Sequence, residues 1–137
     1  MCGICGVINK NFEAIPGITQ KVETMKALIA HRGPDGDGTW IHPDQFIGLG
    51  HRRLSIIDLQ TGDQPMVDDS GSWIVYNGEI YNYLELQQEL GADLFSTTSD
   101  TEVILRAYQK WGEDCVSHFR DRKSTRLNSS HRLRSRM

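Results

Sequence analysis

The second residue of the chain is a cysteine, directly after the initiator Met1. Removal of Met1, which a small second residue permits, leaves Cys2 with both a thiol and a free α-amino group. In ordinary peptides such an amine titrates at about 8 and a thiol at about 8.5, so each is partly in its useful form near neutral pH. One residue then supplies nucleophile and base together. Cys5 completes Cys2-x-x-Cys5, which also invites a redox or zinc reading. A thioredoxin-type pair opens a helix after a strand, whereas these cysteines fall inside the strand-like run MCGICGVINK. A zinc site needs four ligands, and His31, His42, His51 and Cys115 are scattered. Metal and redox chemistry rank below hydrolysis, no metal site is expected, and Cys5 reads as a small core residue.

A thiol that attacks an amide needs an oxyanion stabiliser and a means of holding its substrate. Asn77-Gly78-Glu79, at the end of an apolar run, offers an amide and a glycine N–H that can converge on one oxygen, although Asn-Gly is also a common turn. Arg53 can grip a carboxylate bidentately or lie on the surface. Asp100 can take an ammonium group or serve a helix terminus, and Glu79 can act with it or be solvated. Nothing beside His31, His42 or His51 marks them as bases.

The elements that must position these groups follow from periodicity. Residues 1–10 form a buried strand interrupted by Gly3 and Gly6. Ile18, Val22, Met25 and Ile29 recur at helical spacing between Pro16 and His31. HRGPDGDG, from His31 to Gly38, reads as a loop. Strands are expected at Thr39–His42, Phe46–His51, Arg53–Ile57 and Ser72–Asn77, with turns at Asp58–Gln64 and Asp68–Gly71. Leu84, Leu86 and Leu90 mark a helix closed by Gly91. Ser99-Asp100-Thr101-Glu102 matches a capping box before a helical face of Val103, Ile104, Ala107, Tyr108 and Trp111, with Gly112 as its stop. Strands and helices do not alternate, so the expected class is α+β, with antiparallel strands and helices on their faces.

At 137 residues the chain fits one domain. No apolar run approaches the roughly 20 residues of a membrane helix, and no secretory signal opens the chain. Three cysteines are too few, and odd in number, for a disulfide scaffold. A cytoplasmic location is expected. The net charge of -3 is uneven: nine Lys/Arg against seventeen Asp/Glu up to Arg120 give -8, and six basic residues against one acid from Asp121 onward give +5. A nucleic-acid partner fits the acidic body poorly, and the tail is too poor in apolar residues for a membrane face. A non-enzymatic thiol or metal-binding module is the remaining rival.

Taken in order, MCGICG, HRGPDGDG, GHRRLSIIDLQTGDQPM, YNGEIYNY and TSDTEVIL resemble class II glutamine amidotransferase domains. The likeness is to the glutaminase half of bacterial glutamine-hydrolysing asparagine synthetases, and it runs from Met1 to about Arg120. It implies an N-terminal nucleophile hydrolase fold, an αββα sandwich incomplete at its C-terminal end. It makes Cys2 the nucleophile, with its own amine as base. Arg53 with Leu54, Ser55, Ile56 and Ile57 would hold the glutamine α-carboxylate. Asn77 and Gly78 would form the oxyanion hole, and Glu79 and Asp100 would take the α-ammonium. HRGPD would shape or cover the site. The implied reaction turns glutamine and water into glutamate and ammonia through a Cys2 thioester. The glutaminase half needs no cofactor. ATP and Mg belong to a synthetase domain, absent here, that uses the ammonia to convert aspartate to asparagine. Glutamine and that domain are the implied partners, with a homodimer open to the full-length protein. Relatives that form β-lactams or peptide amides share this half, so the acceptor stays open.

The likeness stops where DRKSTRLNSSHRLRSRM begins. Eleven residues, Asp121 to His131, match one reading frame of a common sequencing adapter. The expected organisation is a truncated glutaminase domain over 1–120 and an unstructured, artefactual basic tail over 121–137. A chain cut there leaves strand edges and apolar faces open, so an unstable or inactive fragment is the alternative outcome.

Overall fold

The computed structural model describes residues 2–54, 62–120 and, as backbone, 131–134. The chain divides into two compact units: Met1–Leu59 with Asp63–Pro65, and Gln60–Gly62 with Met66–Met137. Both combine antiparallel strands with helices, so the class is mixed α/β, compatible with α+β.

The first unit is a three-stranded antiparallel sheet in the order β1-β3-β2, formed by β1 (Gly3–Ile8), β2 (Gly36–Ile41) and β3 (Ile47–Arg53). The central strand pairs Gly3 with Arg52 and Ile8 with Ile47 on one side, and Gly36 with Arg53 and Ile41 with Gly48 on the other. Helix α1 (Ile18–Leu28) buries Ile18, Val22 and Lys26. Gly48 and Gly50 let it sit close, since a Cβ at Gly48 would lie 2.6 Å from Val22 Cγ2 and one at Gly50 2.6 Å from the Cys5 thiol. The third inward position of α1 is thus Lys26 rather than the expected Met25. Its stem lies near Gly50, and its ammonium pairs with Asp37 of β2 and with Glu23 at 3.1 Å. Burial works against the Lys26 charge, but these carboxylates hold its pKa above the usual value. Thr39 donates to Glu23 at 2.7 Å and completes the polar seam between α1 and β2.

Two expected boundaries change. Gly36–Gly38 is strand, not loop, because β3 offers it a continuous ladder. The break expected at Arg52, between Phe46–His51 and Arg53–Ile57, is absent: β3 runs unbroken from Ile47 to Arg53. Residues 55–57 lie outside the described residues.

In the second unit β4 (Met66–Val67) pairs with β5 (Ser72–Val75) through a tight connection. There Asp68 Oδ1 accepts from Ser70 N at 2.9 Å, Ser70 Oγ at 2.6 Å and Ser72 N at 2.9 Å. Helices α2 (Tyr83–Leu90) and α3 (Asp100–Trp111) share an apolar core with β5, including Ile74, Leu86, Val103 and Leu105. Gly91 and Gly112, with φ of 105° and 61°, end the helices as their spacing predicts. The capping box forms by half. Ser99 Oγ accepts from Thr101 N at 3.2 Å, but the Glu102 carboxylate turns to the preceding loop and accepts from Ser96 N at 3.0 Å and Thr97 N at 2.7 Å.

Asn82 pins the segment after α3, donating to His118 O at 2.9 Å and accepting from Arg120 N at 2.8 Å. Beyond it, β6 (His131–Arg134) pairs antiparallel with β5, Val75 opposite His131 and Ser72 opposite Arg134. These four residues of the segment expected to be unstructured are strand. β5 is therefore the central strand of a three-stranded sheet in the order β4-β5-β6. No helix among the described residues is long and apolar enough to cross a membrane.

Candidate active site

Strand parity sorts the candidate residues of the first unit. Side chains alternate across a strand, so Leu49, His51 and Arg53 share the sheet face opposite Gly48, Gly50 and Arg52, where α1 packs. Cys5 faces α1: its thiol lies against Gly50, and burial raises its pKa while the Lys26 charge lowers it. Cys2, three residues earlier, reaches elsewhere. Its sulfur accepts from Leu54 N at 3.5 Å and approaches Leu54 O at 3.9 Å, just beyond β3. Cys2 and Cys5 are therefore not a dithiol pair. Cys5 is half-buried beside a charged seam, a more polar setting than the core position expected of it. Among the described residues no group of three or more His, Cys, Asp or Glu could hold a metal ion.

The HRGPD segment supports the end of β3 from below. Asp35 N donates to Arg53 O at 3.0 Å, and a Cβ on buried Gly33 would fall 2.4 to 2.5 Å from the Arg52–Arg53 peptide. This loop thus shapes the backbone that carries Arg53. The Arg53 guanidinium donates to Asp63 at 3.0 Å. His51 is buried, and its Nε2 has no hydrogen-bond partner among the described residues. Burial, reinforced by the Arg53 charge, lowers its pKa to about 4, so the imidazole is neutral at neutral pH. His42 is structural: its Nδ1 accepts from Asp44 N at 3.0 Å and its ring packs 4.2 Å from that of Phe46. His31 is exposed.

In the second unit Asn77, Gly78 and Glu79 follow β5, and buried Ile80 anchors them. Asp100 opens α3, and its Oδ2 accepts from Ile80 N at 3.1 Å. Burial raises the Asp100 pKa; hydrogen bonds from Ile80 and Thr101 oppose this, and the nearby Glu79 charge adds to it. The structure therefore brings Asp100 to the Asn77–Glu79 turn across twenty residues of sequence, with two carboxylates close enough to sense each other. Two charges so placed suit a cation such as an ammonium group. Gly78 has the Tyr76 ring at its side, where a Cβ would lie 2.5 Å from the phenol oxygen.

Two contributors escaped the sequence reading, and Leu54, expected beside the substrate carboxylate, is also the backbone neighbour of the Cys2 thiol. Asp63 was not singled out as the partner of Arg53. Tyr76 lies inside an apolar run, where an aromatic residue is ordinary. Of the substrate-binding candidates, Ser55, Ile56 and Ile57 lie outside the described residues.

The first unit thus holds a thiol beside a strand end that carries arginine, and the second holds two neighbouring carboxylates after β5, each within a mixed α/β fold. The chain belongs to the glutamine amidotransferase domain family, whose model matches residues 1–122. It is 47% identical over 124 residues to asparagine synthetase [glutamine-hydrolyzing] 1 of Bacillus subtilis, covering 88% of this chain and 19% of that protein. It is 43% identical over 137 residues to the putative asparagine synthetase [glutamine-hydrolyzing] 2 of Methanocaldococcus jannaschii, covering 87% of this chain and 26% of that one. Amidase chry2 of Gibberella zeae is 42% identical over 106 residues, covering 75% of this chain and 16% of its own length. The chain thus spans about a fifth to a quarter of the length of the two synthetases.

Proposed function

We propose that residues 1–120 encode a glutaminase that releases ammonia from glutamine, within an N-terminal nucleophile hydrolase sandwich that further strands complete. The Cys2 thiolate attacks the side-chain amide carbon after its proton passes to the α-amine exposed by loss of Met1. Asn77 Nδ2 and Gly78 N–H stabilise the oxyanion that develops. Its collapse breaks the C–N bond, the leaving nitrogen takes the proton from the amine, and ammonia departs from a Cys2 thioester. Water then hydrolyses the thioester, yielding glutamate and restoring the thiol. Arg53, with Leu54, Ser55, Ile56 and Ile57, reads the α-carboxylate, and Glu79 and Asp100 read the α-ammonium. The oxyanion donors act on charge present only at the transition state, which is where binding energy raises the rate.

The observation that carries this reading is the placement of Asp100 against the Asn77–Glu79 turn, which joins an ammonium reader to an oxyanion donor. In the longer protein, a cytoplasmic enzyme on this reading, the ammonia serves ATP-dependent conversion of aspartate to asparagine. On this reading ATP and Mg serve the synthetase half of the longer protein. The likeness to Amidase chry2 favours a second reading, in which the same half delivers ammonia to another acceptor. Ammonia release from glutamine, measured for the chain and for Cys2→Ala, tests the mechanism. Release should fall to background in the variant, and activity that survives removes Cys2 from it.

A further inference from the structure

Arg53, which the functional reading makes the grip for the substrate α-carboxylate, already holds a carboxylate. Asp63 Oδ1 accepts from Arg53 Nη1 at 3.0 Å. The two side chains differ in setting: that of Arg53 is 16% exposed and that of Asp63 is 95% exposed. The arginine is fixed, since Asp35 and Gly33 hold its backbone and it shares a sheet face with buried His51. The aspartate reaches it from solvent, one residue after Gly62 with its φ of 96°. Asp63 meets Nη1 through one carboxylate oxygen, whereas a carboxylate aligned with the guanidinium plane takes two parallel N–H bonds. An exposed ion pair of this kind is weak, and a better-matched carboxylate displaces it.

We propose that Asp63 is an affinity-determining residue: an internal carboxylate that occupies Arg53 until the substrate α-carboxylate replaces it. The inference rests on the glutaminase reading for the identity of the substrate. Asp63 then competes with glutamine for the guanidinium and equally with the glutamate product, so it weakens capture of both. Among the described residues, His51 shares the sheet face of Arg53, and it stays neutral above about pH 4.

Asp63→Asn keeps the size of the side chain and removes its charge at a solvent-exposed position. The KM for glutamine should fall about two- to fivefold, the range an exposed ion pair supplies, with kcat unchanged. Asp63→Glu, which restores the charge, should return KM toward the wild-type value. 4-Aminobutanamide, which lacks the α-carboxylate, should show one KM with both chains. A KM for glutamine that stays constant or rises in Asp63→Asn overturns the proposal and makes Asp63 a support for Arg53. Calorimetric titration of glutamate into the full chain and into Asp63→Asn reads the same competition without turnover. Binding two- to fivefold tighter in the variant supports the proposal, and equal, weaker or absent binding overturns it. Failure of the chain to release ammonia from glutamine counts against the glutaminase reading alone, because the glutamate titration still decides the role of Asp63.

Discussion

The two units are held together by different forces, and their candidate site residues inherit the difference. In the first, a glycine-bearing sheet lets α1 approach closely, and the inner turn of the helix carries a buried lysine bonded to Asp37 and Glu23. Its site residues sit on a strand face whose geometry depends on backbone-to-backbone packing, as where Gly33 meets the Arg52–Arg53 peptide. In the second, two helices and β5 enclose an ordinary apolar core, and hydrogen bonds to carboxylates arrange the polar residues around it. Close packing tolerates no added atom, whereas a hydrogen-bonded turn can lose one bond and keep its shape. The first unit should therefore be brittle toward volume and the second graded toward polarity.

The comparison breaks most severely at Gly33. Gly33→Ala places a methyl group against a peptide unit that cannot move without distorting β3, so its cost should exceed the ~1–3 kcal/mol of ordinary overpacking. Hydrogen exchange followed by mass spectrometry should show β1, β2 and β3 losing protection while α2 and α3 keep theirs. Equal loss in both units would mean that they unfold as one.

Acid should separate the units by sign. The folded pKa of His51, about 4, lies below its ordinary 6.5, so the unfolded chain binds the extra proton and stability falls as pH drops from 6.5 toward 4. A shift of that size corresponds to about 3 kcal/mol, on the scale of 1.36 kcal/mol per pKa unit. Glu23 and Asp37 act in the same direction: the Thr39 and Lys26 hydrogen bonds, respectively, are the leading causes that hold their pKa values down, and protonation forfeits those bonds. Asp100 acts oppositely. Burial raises its folded pKa, so its contribution improves as pH falls through that value toward its ordinary 3.8. Exchange protection measured from pH 7 to 4, at rates corrected for intrinsic chemistry, should decline in β3 and be retained longer in α3. His51→Gln should flatten the decline in β3, and an unchanged decline would assign it to the carboxylates instead.

Ser99→Ala gives the smallest effect and sharpens the contrast. It removes the bond from Thr101 N to the Ser99 cap, at a cost of about 1 kcal/mol. Because Glu102 bonds the loop rather than the cap, Ser96 and Thr97 should keep their exchange protection. Loss of protection at those residues would show the cap and the loop to be one unit.

Much of this was readable along the chain because it is local. The 3.6-residue period marks α1, α2 and α3 to within two residues, and Gly91 and Gly112 end their helices by adopting positive φ. The capping box was only half readable: a Glu three residues past the cap can turn inward or backward, and here it bonds the N–H groups of Ser96 and Thr97. The break expected at Arg52 was misleading in the same way. Arg52 continues the strand, and on opposite faces of β3 the two adjacent arginines meet different partners, Asp37 and Asp63.

The sequence by itself determined the order of the elements, the residues able to do chemistry and the family they match. Each depends on residue type or on neighbours within one helical turn. Tertiary structure alone decided which of these groups meet. Cys2 finds Leu54 at a separation of 52 residues, Asp100 finds Ile80 at 20, and Arg53 finds Asp63 at 10. Strand parity then put Cys2 and Cys5 in different surroundings, although they lie only three residues apart. The physical reason is that register and face are properties of paired strands, and a single strand read alone contains neither.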